Sequence, residues 1–461
     1  RSLHSIRCRS PVEKRSPPWE EVRRMYGKTL RWAAAGLLFL TGAATAAPKI
    51  ENWTLDNGVR VYFVRTPELP LIQLRVVFDA ASSRDPAAKP GVALLTNAML
   101  KQGAAGMNAD QIASGFENLG AEFGDSSERD MAILELRSLS DPKLLNPALD
   151  LFAAVVARPT FPEDAFERER ARALVGLQRD AQLPNVIVEK TFWRTLYGNH
   201  PYAHDPLGTA DSLRAISRAD LAAHHARYYT GANAWLAIVG DATLTEAKVI
   251  ANRALGGLPR GERAPTLPGV SQKPAGSSQT IAFPAQQTHV RLGLPGIQRT
   301  DPDYFPLIVG NYSLGGGGLV SRLAVEVREK RGYSYDVYSY FLPMREHGPF
   351  VLGLQTKNAT RDDAIKVSRQ VLADFVERGP TDQELEAAKR HLTGSFPLRL
   401  DSNRKIAENV AFIAFYGLPL DYLDTFIDKV NAVTADQVRA ALKRHLHPKD
   451  AVTVAVGGAS D

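Results

Sequence analysis

Residues 216–240 of the chain read ISRADLAAHHARYYTGANAWLAIVG, and residues 433–457 read VTADQVRAALKRHLHPKDAVTVAVG. The two stretches overlay without a gap at an offset of 217 residues. In both copies a Ser or Thr is placed to cap the start of a helix, and an apolar strand that ends in Gly follows. The repeat therefore predicts a body made of two homologous halves.

The sequence outside the repeat alternates between strand and helix patterns. Asn57-Gly58 lies between two β-prone runs and predicts a hairpin over residues 53–64. A strand is predicted over Leu71–Phe78, and from Pro90 onward the apolar residues recur at helical spacing. Longer helical patterns are predicted over residues 147–156, 163–180 and 218–229.

The two halves are predicted to be separate domains with a linker between them. Residues 256–280 contain four prolines, several glycines and serines, and no apolar period, so they are interpreted as an exposed linker. This places the first domain at residues 48–255 and the second at residues 281–461.

The start of the chain has the layout of a targeting segment. The first methionine is Met25, and two basic residues, an apolar run over residues 32–40 and a small-residue stretch over residues 43–47 follow it. This pattern is typical of a secretory signal peptide, and the run is shorter than the roughly 20 residues that a spanning helix needs. We expect residues 1–24 to be upstream sequence, residues 25–47 to be a signal peptide, and the mature protein to be periplasmic or secreted with no membrane span.

The formal charge of +6 belongs to this leader. Residues 1–47 hold nine basic and three acidic side chains, and the remaining residues hold 47 of each sign. A neutral body gives no support to nucleic-acid binding or to a polybasic membrane surface. The one cysteine, Cys8, lies in the leader, so the body has no disulfide and no thiolate ligand or nucleophile.

Several segments of the body carry a family resemblance through their order and spacing. They are FDAASSRDP at residues 78–86 with KPGVA at 89–93, HPY at 200–202, NYSLGGGG at 311–318, VREKRGYSYDVYS at 327–339, RLDSN at 399–403 and YGLPL at 416–420. Together they resemble the insulinase (pitrilysin) family, in the branch that includes the mitochondrial processing peptidase and its bacterial relatives. The resemblance implies an α+β fold of two homologous domains. Each would be a mainly antiparallel sheet backed by helices, and the chain would form half of a clamshell.

Active members of this family carry a His-x-x-Glu-His zinc motif on a helix, in which two His one turn apart bind the metal and the Glu activates water. At the matching positions this chain has Leu94 and Ala98 in place of the two histidines, and Asn97 in place of the base. The third ligand of the family, a downstream Glu, falls on Gly176. None of these side chains can serve as ligand or base, so we expect no metal on this chain.

The resemblance also implies a catalytic pair that this chain retains. Arg328 and Tyr335 match an Arg and a Tyr that active members bring across the clamshell to the zinc site, where they hold the substrate and stabilise the oxyanion. Arg331 and Tyr333 are close alternatives for the register. The glycine run matches a substrate-handling loop of the processing peptidase's non-catalytic subunit, which makes these residues substrate-binding candidates: Gly315, Gly316, Gly317 and Gly318. Without a following Lys-Ser/Thr, a phosphate loop is a weak interpretation.

Three histidine pairs are candidates for a replacement metal site. His200 and His204 lie in a loop with Pro and Gly, and metal sites need three or four converging groups. The other pairs, His224 with His225 and His445 with His447, lie on or at the end of predicted surface helices, where ordinary polar roles are favoured.

The leading hypothesis is a non-catalytic subunit of a heterodimeric zinc metallopeptidase, inactive by itself. It would bind peptide substrate and supply Arg328 and Tyr335 in trans to a homologous partner that carries the zinc. The alternative is a structural or peptide-binding family member with no part in catalysis. A third possibility, a hydrolase with a different site, has no group of residues in the sequence to support it.

Overall fold

The computed structural model describes residues 49–271 and 276–458. The predicted upstream segment and signal peptide lie outside the described residues. These described residues form one compact unit. Within the described residues, no helix has the length and apolar character needed to cross a bilayer.

The first sheet has six strands, all from residues 51–240, in the order β1-β2-β8-β3-β7-β6. All neighbouring strands are antiparallel except β2 and β8, which run parallel. A small hairpin, β4 with β5, stands apart from it. The strands are β1 (Glu51–Thr54), β2 (Arg60–Arg65), β3 (Leu71–Phe78), β4 (Gly103–Ala104), β5 (Met107–Asn108), β6 (Glu122–Ser127), β7 (Ala132–Leu139) and β8 (Ala234–Gly240).

The second sheet has five strands in the order β11-β12-β10-β13-β9, and its one parallel pair is β13 with β9. These strands are β9 (Ser278–Ile281), β10 (Gln287–Pro295), β11 (Ser334–Phe341), β12 (Pro349–Lys357) and β13 (Val452–Val456). Read from β9, this order repeats the order β2-β8-β3-β7-β6 of the first sheet, with the parallel pair at the same place. The two sheets therefore share one plan, as the sequence repeat predicts.

Helices back both sheets. Those of the first half are α1 (Val92–Met99), α2 (Ala109–Asn118), α3 (Pro142–Ala157), α4 (Glu163–Asp180), α5 (Pro184–Tyr197), α6 (Ala210–Ala215), α7 (Arg218–Tyr228) and α8 (Leu244–Leu255). Those of the second half are α9 (Tyr304–Asn311), α10 (Arg361–Arg378), α11 (Asp382–Gly394), α12 (Asn403–Tyr416), α13 (Tyr422–Asn431) and α14 (Ala435–His445). The predicted α+β fold, with mainly antiparallel sheets backed by helices, is confirmed.

The repeated segments have equivalent local structure. Ser217 and Thr434 each accept a hydrogen bond from the third residue of the following helix and form a reciprocal capping box. Gly240 is the last residue of β8 and Gly457 directly follows β13, with φ of 152° and 149°. A Cβ at Gly240 would lie 2.1 Å from the carbonyl oxygen of Leu71, so this close approach of β8 to β3 requires glycine.

Each half lends one helix to the sheet of the other half. Helix α5 of the first half packs on β10 and β13 of the second sheet, and α12 of the second half packs on β3 and β8 of the first. The first contact buries Phe192 against Val351 and Val454, and the second buries Val410 in the cluster that includes Trp235. The halves are therefore interlocked through two hydrophobic cores.

The exchange of α5 and α12 between the halves leads to a prediction about folding. We expect each half, expressed alone with its boundary inside residues 272–275, to aggregate, because each buried Val or Phe side chain contributes about 1.5–3 kcal/mol that the isolated half lacks. Co-expressed halves are expected to co-purify as a 1:1 complex with the circular dichroism of the intact chain. A soluble, cooperatively unfolding single half would contradict the exchange.

The linker is attached to the first half more closely than its composition indicated. Most of its described side chains are exposed, but Leu258 and Leu267 are buried. The carbonyl of Pro265 accepts a hydrogen bond from Arg84 at 2.6 Å, and Ala264 N donates to Asn233 at 3.1 Å. These non-local contacts hold the part around Ala264 and Pro265 against the first half, which a Pro- and Gly-rich pattern does not reveal. The end of the predicted linker differs, because residues 278–280 belong to β9 of the second sheet.

Candidate functional site: helix α1 and the Arg328–Tyr335 pair

The helix that matches the zinc motif is α1, and a buried carboxylate fixes its start. Asp85 accepts hydrogen bonds from Gly91 N at 2.8 Å and Ala93 N at 2.7 Å, which supplies acceptors to the first turn. Burial raises the pKa of the Asp85 carboxyl to about 7, although both hydrogen bonds act in the opposite direction. Sequence reasoning missed this role, because the acceptor lies in the loop six residues before the N-cap Gly91.

The motif positions carry no metal-binding chemistry. Leu94 and Ala98 are half-buried and one turn apart, on the same side of α1. Asn97 is 2% exposed, and both ends of its amide are used. Its Nδ2 donates to Ser126 O at 2.8 Å, and its Oδ1 accepts from the Tyr229 hydroxyl at 3.0 Å. These residues do not fit a zinc ion, and Asn97 serves as a buried bridge between α1, β6 and the end of α7.

Gly176 lies on α4, the helix that packs against α1. A Cβ at this position would meet its nearest neighbour, Leu207 Cδ2, at 3.6 Å, which is an ordinary contact. Packing therefore leaves room for a side chain at Gly176. Its assignment as the third degenerate ligand position stays a prediction.

The histidines of α7 are structural, and the expectation of a surface location was wrong. His224 is 5% exposed and its Nε2 contacts the carbonyl of Ala80 at 2.9 Å. His225 contacts the carbonyl of Val156 at 2.8 Å. Burial lowers the pKa of both imidazoles, that of His224 to about 4. Sequence spacing alone cannot reveal carbonyl partners that lie 144 and 69 residues away.

His224 gives a pH-dependent contribution to stability. Its folded pKa of about 4 lies below the ordinary 6.5, so its contribution is complete above pH 6.5 and is lost as the pH falls toward 4. The difference corresponds to about 3 kcal/mol. We expect His224→Gln to remove this part of the pH dependence in urea unfolding between pH 7 and 4.5. Exposed His447→Gln is the control, and an unchanged slope in His224→Gln would contradict the assignment.

Among the described residues, the His200–His204 pair does not assemble a metal site. His200 Nε2 contacts the carbonyl of Pro268 at 2.8 Å, and His200 Nδ1 accepts from Tyr202 N at 3.1 Å, so both ring nitrogens are used. In the described part of the chain, the one group with metal-compatible spacing is Asp301, Asp303 and His445. There Arg444 donates to both carboxylate oxygens of Asp303, at 2.7 and 2.8 Å. That group is accounted for as an ion-pair network.

The predicted Arg–Tyr pair lies in the second half, where Arg328 and Tyr335 contact each other. The Arg328 guanidinium lies over the Tyr335 ring, with Cζ 4.7 Å from the ring centroid. Tyr335 is 83% exposed and Arg328 is half-buried. Within the described residues the Arg328 guanidinium has no carboxylate partner and no hydrogen bond. The stacked pair presents a cationic fork and a phenol donor to solvent, and this combination can stabilise an anion.

The alternative pair has different surroundings. Arg331 Nη1 donates to the carboxylate and to the carbonyl of Glu326, both at 2.7 Å. Lys330 Nζ contacts the same carboxylate at 2.6 Å. Tyr333 is half-buried. Glu326 thus engages the two cations that follow Arg328 and leaves Arg328 available, which favours the register of Arg328 and Tyr335.

The glycine run has a packing reason for its composition. Residues Tyr312–Gly316 form a π-helical turn that continues α9. A Cβ at Gly315 would lie 2.4 Å from the Ser339 hydroxyl, and one at Gly317 would lie 2.8 Å from the Tyr312 carbonyl. Only Gly318 has open space around it, at a φ of 61°. The run is therefore a tight turn packed on β11, and its substrate role stays a prediction.

The fold and these sites define a class: an α+β protein of two similar sheets whose helix α1 has neither histidine nor carboxylate at positions 94, 97 and 98. Residues 60–210 match the family described as Insulinase (Peptidase family M16), and residues 215–392 match Peptidase M16 inactive domain. A crystal structure titled peptidase M16 inactive domain, from Pseudomonas fluorescens, has 43% identity and a TM-score of 0.86 over 88% of this chain and 97% of that chain. The chain belongs to the insulinase (peptidase M16) family.

Other relatives carry names that differ on activity. The chain is 26% identical to a Bacillus subtilis protein called uncharacterized zinc protease YmxG, over 87% of this chain and 96% of that protein. It is 27% identical to a Helicobacter pylori protein called non-peptidase homolog YmxG, over 85% and 90% respectively. The periplasmic protease PqqL of Escherichia coli shares the fold, with 16% identity and a TM-score of 0.75 over 89% of this chain and 46% of that chain.

Proposed function

We propose that this chain is the non-catalytic subunit of a heterodimeric zinc metallopeptidase. A homologous partner carries the zinc, and this chain binds the peptide and supplies Arg328 and Tyr335 in trans. The observation that carries the proposal is the stacked Arg328–Tyr335 pair. Its Tyr335 ring is exposed, and within residues 49–271 and 276–458 the Arg328 guanidinium has no carboxylate partner. The pair occurs in a chain whose zinc helix offers Leu94, Asn97 and Ala98.

The chemistry of the pair suits a developing oxyanion. A phenol O–H and a guanidinium N–H both donate to an anionic oxygen, and prepositioned donors of this kind typically account for 10²–10³-fold in kcat. The chain's own residues therefore bind and orient the peptide carbonyl. Activation of the attacking water belongs to the zinc-bearing partner, because none of the side chains at the motif positions of α1 can accept a proton from water.

Export to the periplasm or outside the cell is part of the proposal. The apolar run after Met25 supports it. A periplasmic member of the family is also found among the proteins that share this fold.

The rival function is a structural or peptide-binding role with no part in catalysis. It is favoured by the extensive repacking of the motif, in which Asn97 has become a buried bridge. The two functions predict different results when the chain is mixed with a homologue that carries His-x-x-Glu-His. A catalytic pairing gives peptidase activity that depends on Arg328, whereas a structural role leaves the homologue's activity independent of Arg328.

A further inference from the structure

The strand that carries Tyr335 contains a β-bulge. Ser334 of β11 pairs with Thr356 of β12, and the next register pair is Val337 with Leu354. Two residues of β11, Tyr335 and Asp336, thus lie opposite one residue of β12. A bulge of this kind bends the strand and redirects the side chains at the inserted position.

One buried hydroxyl holds this bulge on both sides. Ser334 is 5% exposed. Its Oγ lies 2.6 Å from the carbonyl oxygen of Asp336 on its own strand and 2.7 Å from that of Gln355 on β12. The hydroxyl hydrogen is thus shared between two carbonyl acceptors, one on each side of the irregularity. An alanine here would leave both carbonyls without this donor.

We infer that Ser334 is a positioning residue for Tyr335. By fixing the bulge, its hydroxyl keeps the Tyr335 ring exposed and beneath the Arg328 guanidinium. The phenol and the guanidinium can then donate to the same acceptor. Thr356 supports the same geometry, since its hydroxyl donates to the carbonyl of Tyr333 at 2.6 Å. The catalytic meaning of this inference rests on the proposed function, but the positioning itself is a property of the isolated chain.

A matched control exists in the same half. Ser368 is fully buried on α10, and its Oγ has no hydrogen-bond partner within the described residues. Ser368→Ala makes the same chemical change as Ser334→Ala without removing a hydrogen bond. Ser334→Cys, which is close in size but a much weaker donor, provides a second variant of the site.

The first test uses the purified chain with 3-fluorotyrosine at position 335 and follows its ¹⁹F resonance. In the parent protein, Arg328→Ala is expected to move this resonance, because the guanidinium lies over the ring. In Ser334→Ala and in Ser334→Cys the resonance is expected to move toward that of free 3-fluorotyrosine and to lose its response to Arg328→Ala. Ser368→Ala is expected to keep both. A resonance that retains its position and its Arg328 response in both Ser334 variants overturns the inference.

The second test uses the chain mixed with its zinc-bearing partner. We expect Ser334→Ala to lower kcat by about 10- to 100-fold through misplacement of the phenol, with KM changed less than twofold. In a chain that already carries Tyr335→Phe, Ser334→Ala is expected to lower kcat no further, because both changes act through the Tyr335 phenol. Full additivity would overturn the inference. If no partner gives activity, the proposed function fails, while the fluorine measurement still decides the positioning role.

Discussion

Tyr335→Phe is expected to lower kcat/KM of the reconstituted two-chain peptidase by about 10²–10³-fold, since it removes one oxyanion donor and leaves the ring in place. Tyr335 is 83% exposed and contributes little to packing, so the unfolding midpoint is expected to stay unchanged. The measurement is the initial rate of peptide hydrolysis at fixed partner concentration.

The neighbouring residues provide the control for this change. Tyr333→Phe removes the same hydroxyl two residues away, and Arg331→Ala removes a guanidinium that is tied to Glu326. Both are expected to change kcat/KM by less than threefold, while Arg328→Ala shows a loss comparable to that of Tyr335→Phe. A large loss in Tyr333→Phe with a mild effect of Tyr335→Phe would show that the other register is correct.

Introducing the family's zinc ligands is expected to create a zinc site on α1 and α4. Leu94→His and Ala98→His place two imidazoles one turn apart on the half-buried side of α1, and Gly176→Glu adds a carboxylate from the helix packed against it. We expect this triple variant to bind one zinc with a Kd of about 1 μM or lower. The parent chain, assayed by metal analysis and competition titration, is expected to retain no stoichiometric zinc.

The matched control carries Gly176→Gln instead of Gly176→Glu, because glutamine has the size of glutamate without its charge. With Leu94→His and Ala98→His this control is expected to bind zinc at least tenfold more weakly, because a carboxylate ligand is lost. Equal affinity of the two triple variants would show that the assignment of Gly176 is wrong. Asn97 is kept throughout, since a carboxylate there would face the carbonyl of Ser126.

Local features of the fold were predictable because local chemistry determines them. Ser217 and Thr434 are caps whose partners lie three residues away, and the hairpin turn at Asn57-Gly58 has the expected φ of 93° at Gly58. The exchange of α5 and α12 was not predicted. An amphipathic helix shows which of its faces is apolar, but not which of two similar sheets will cover that face.

The candidate site, like the fold, was predictable from the sequence only in part. Leu94 and Ala98 have no atom that can bind a metal, and Asn97 cannot act as a base near neutral pH, which the sequence already shows. The contact of Arg328 with Tyr335 and the pairing of Glu326 with Arg331 depend on a π-helical turn over Ala324–Glu329 and on the bulge in β11. Neither irregularity has a sequence pattern in the single chain. The inferred role of Ser334 therefore depends on the three-dimensional arrangement.

The central claim is tested most directly by mixing. The purified chain, a homologue from the same organism that carries His-x-x-Glu-His, and their 1:1 mixture are assayed for peptide hydrolysis, with the zinc content of each measured. The account predicts no hydrolysis by this chain alone and strong hydrolysis by the mixture, which falls to the level of the homologue alone when this chain carries Arg328→Ala. Hydrolysis by the isolated, metal-verified chain, or a mixture that is indifferent to Arg328, would contradict it.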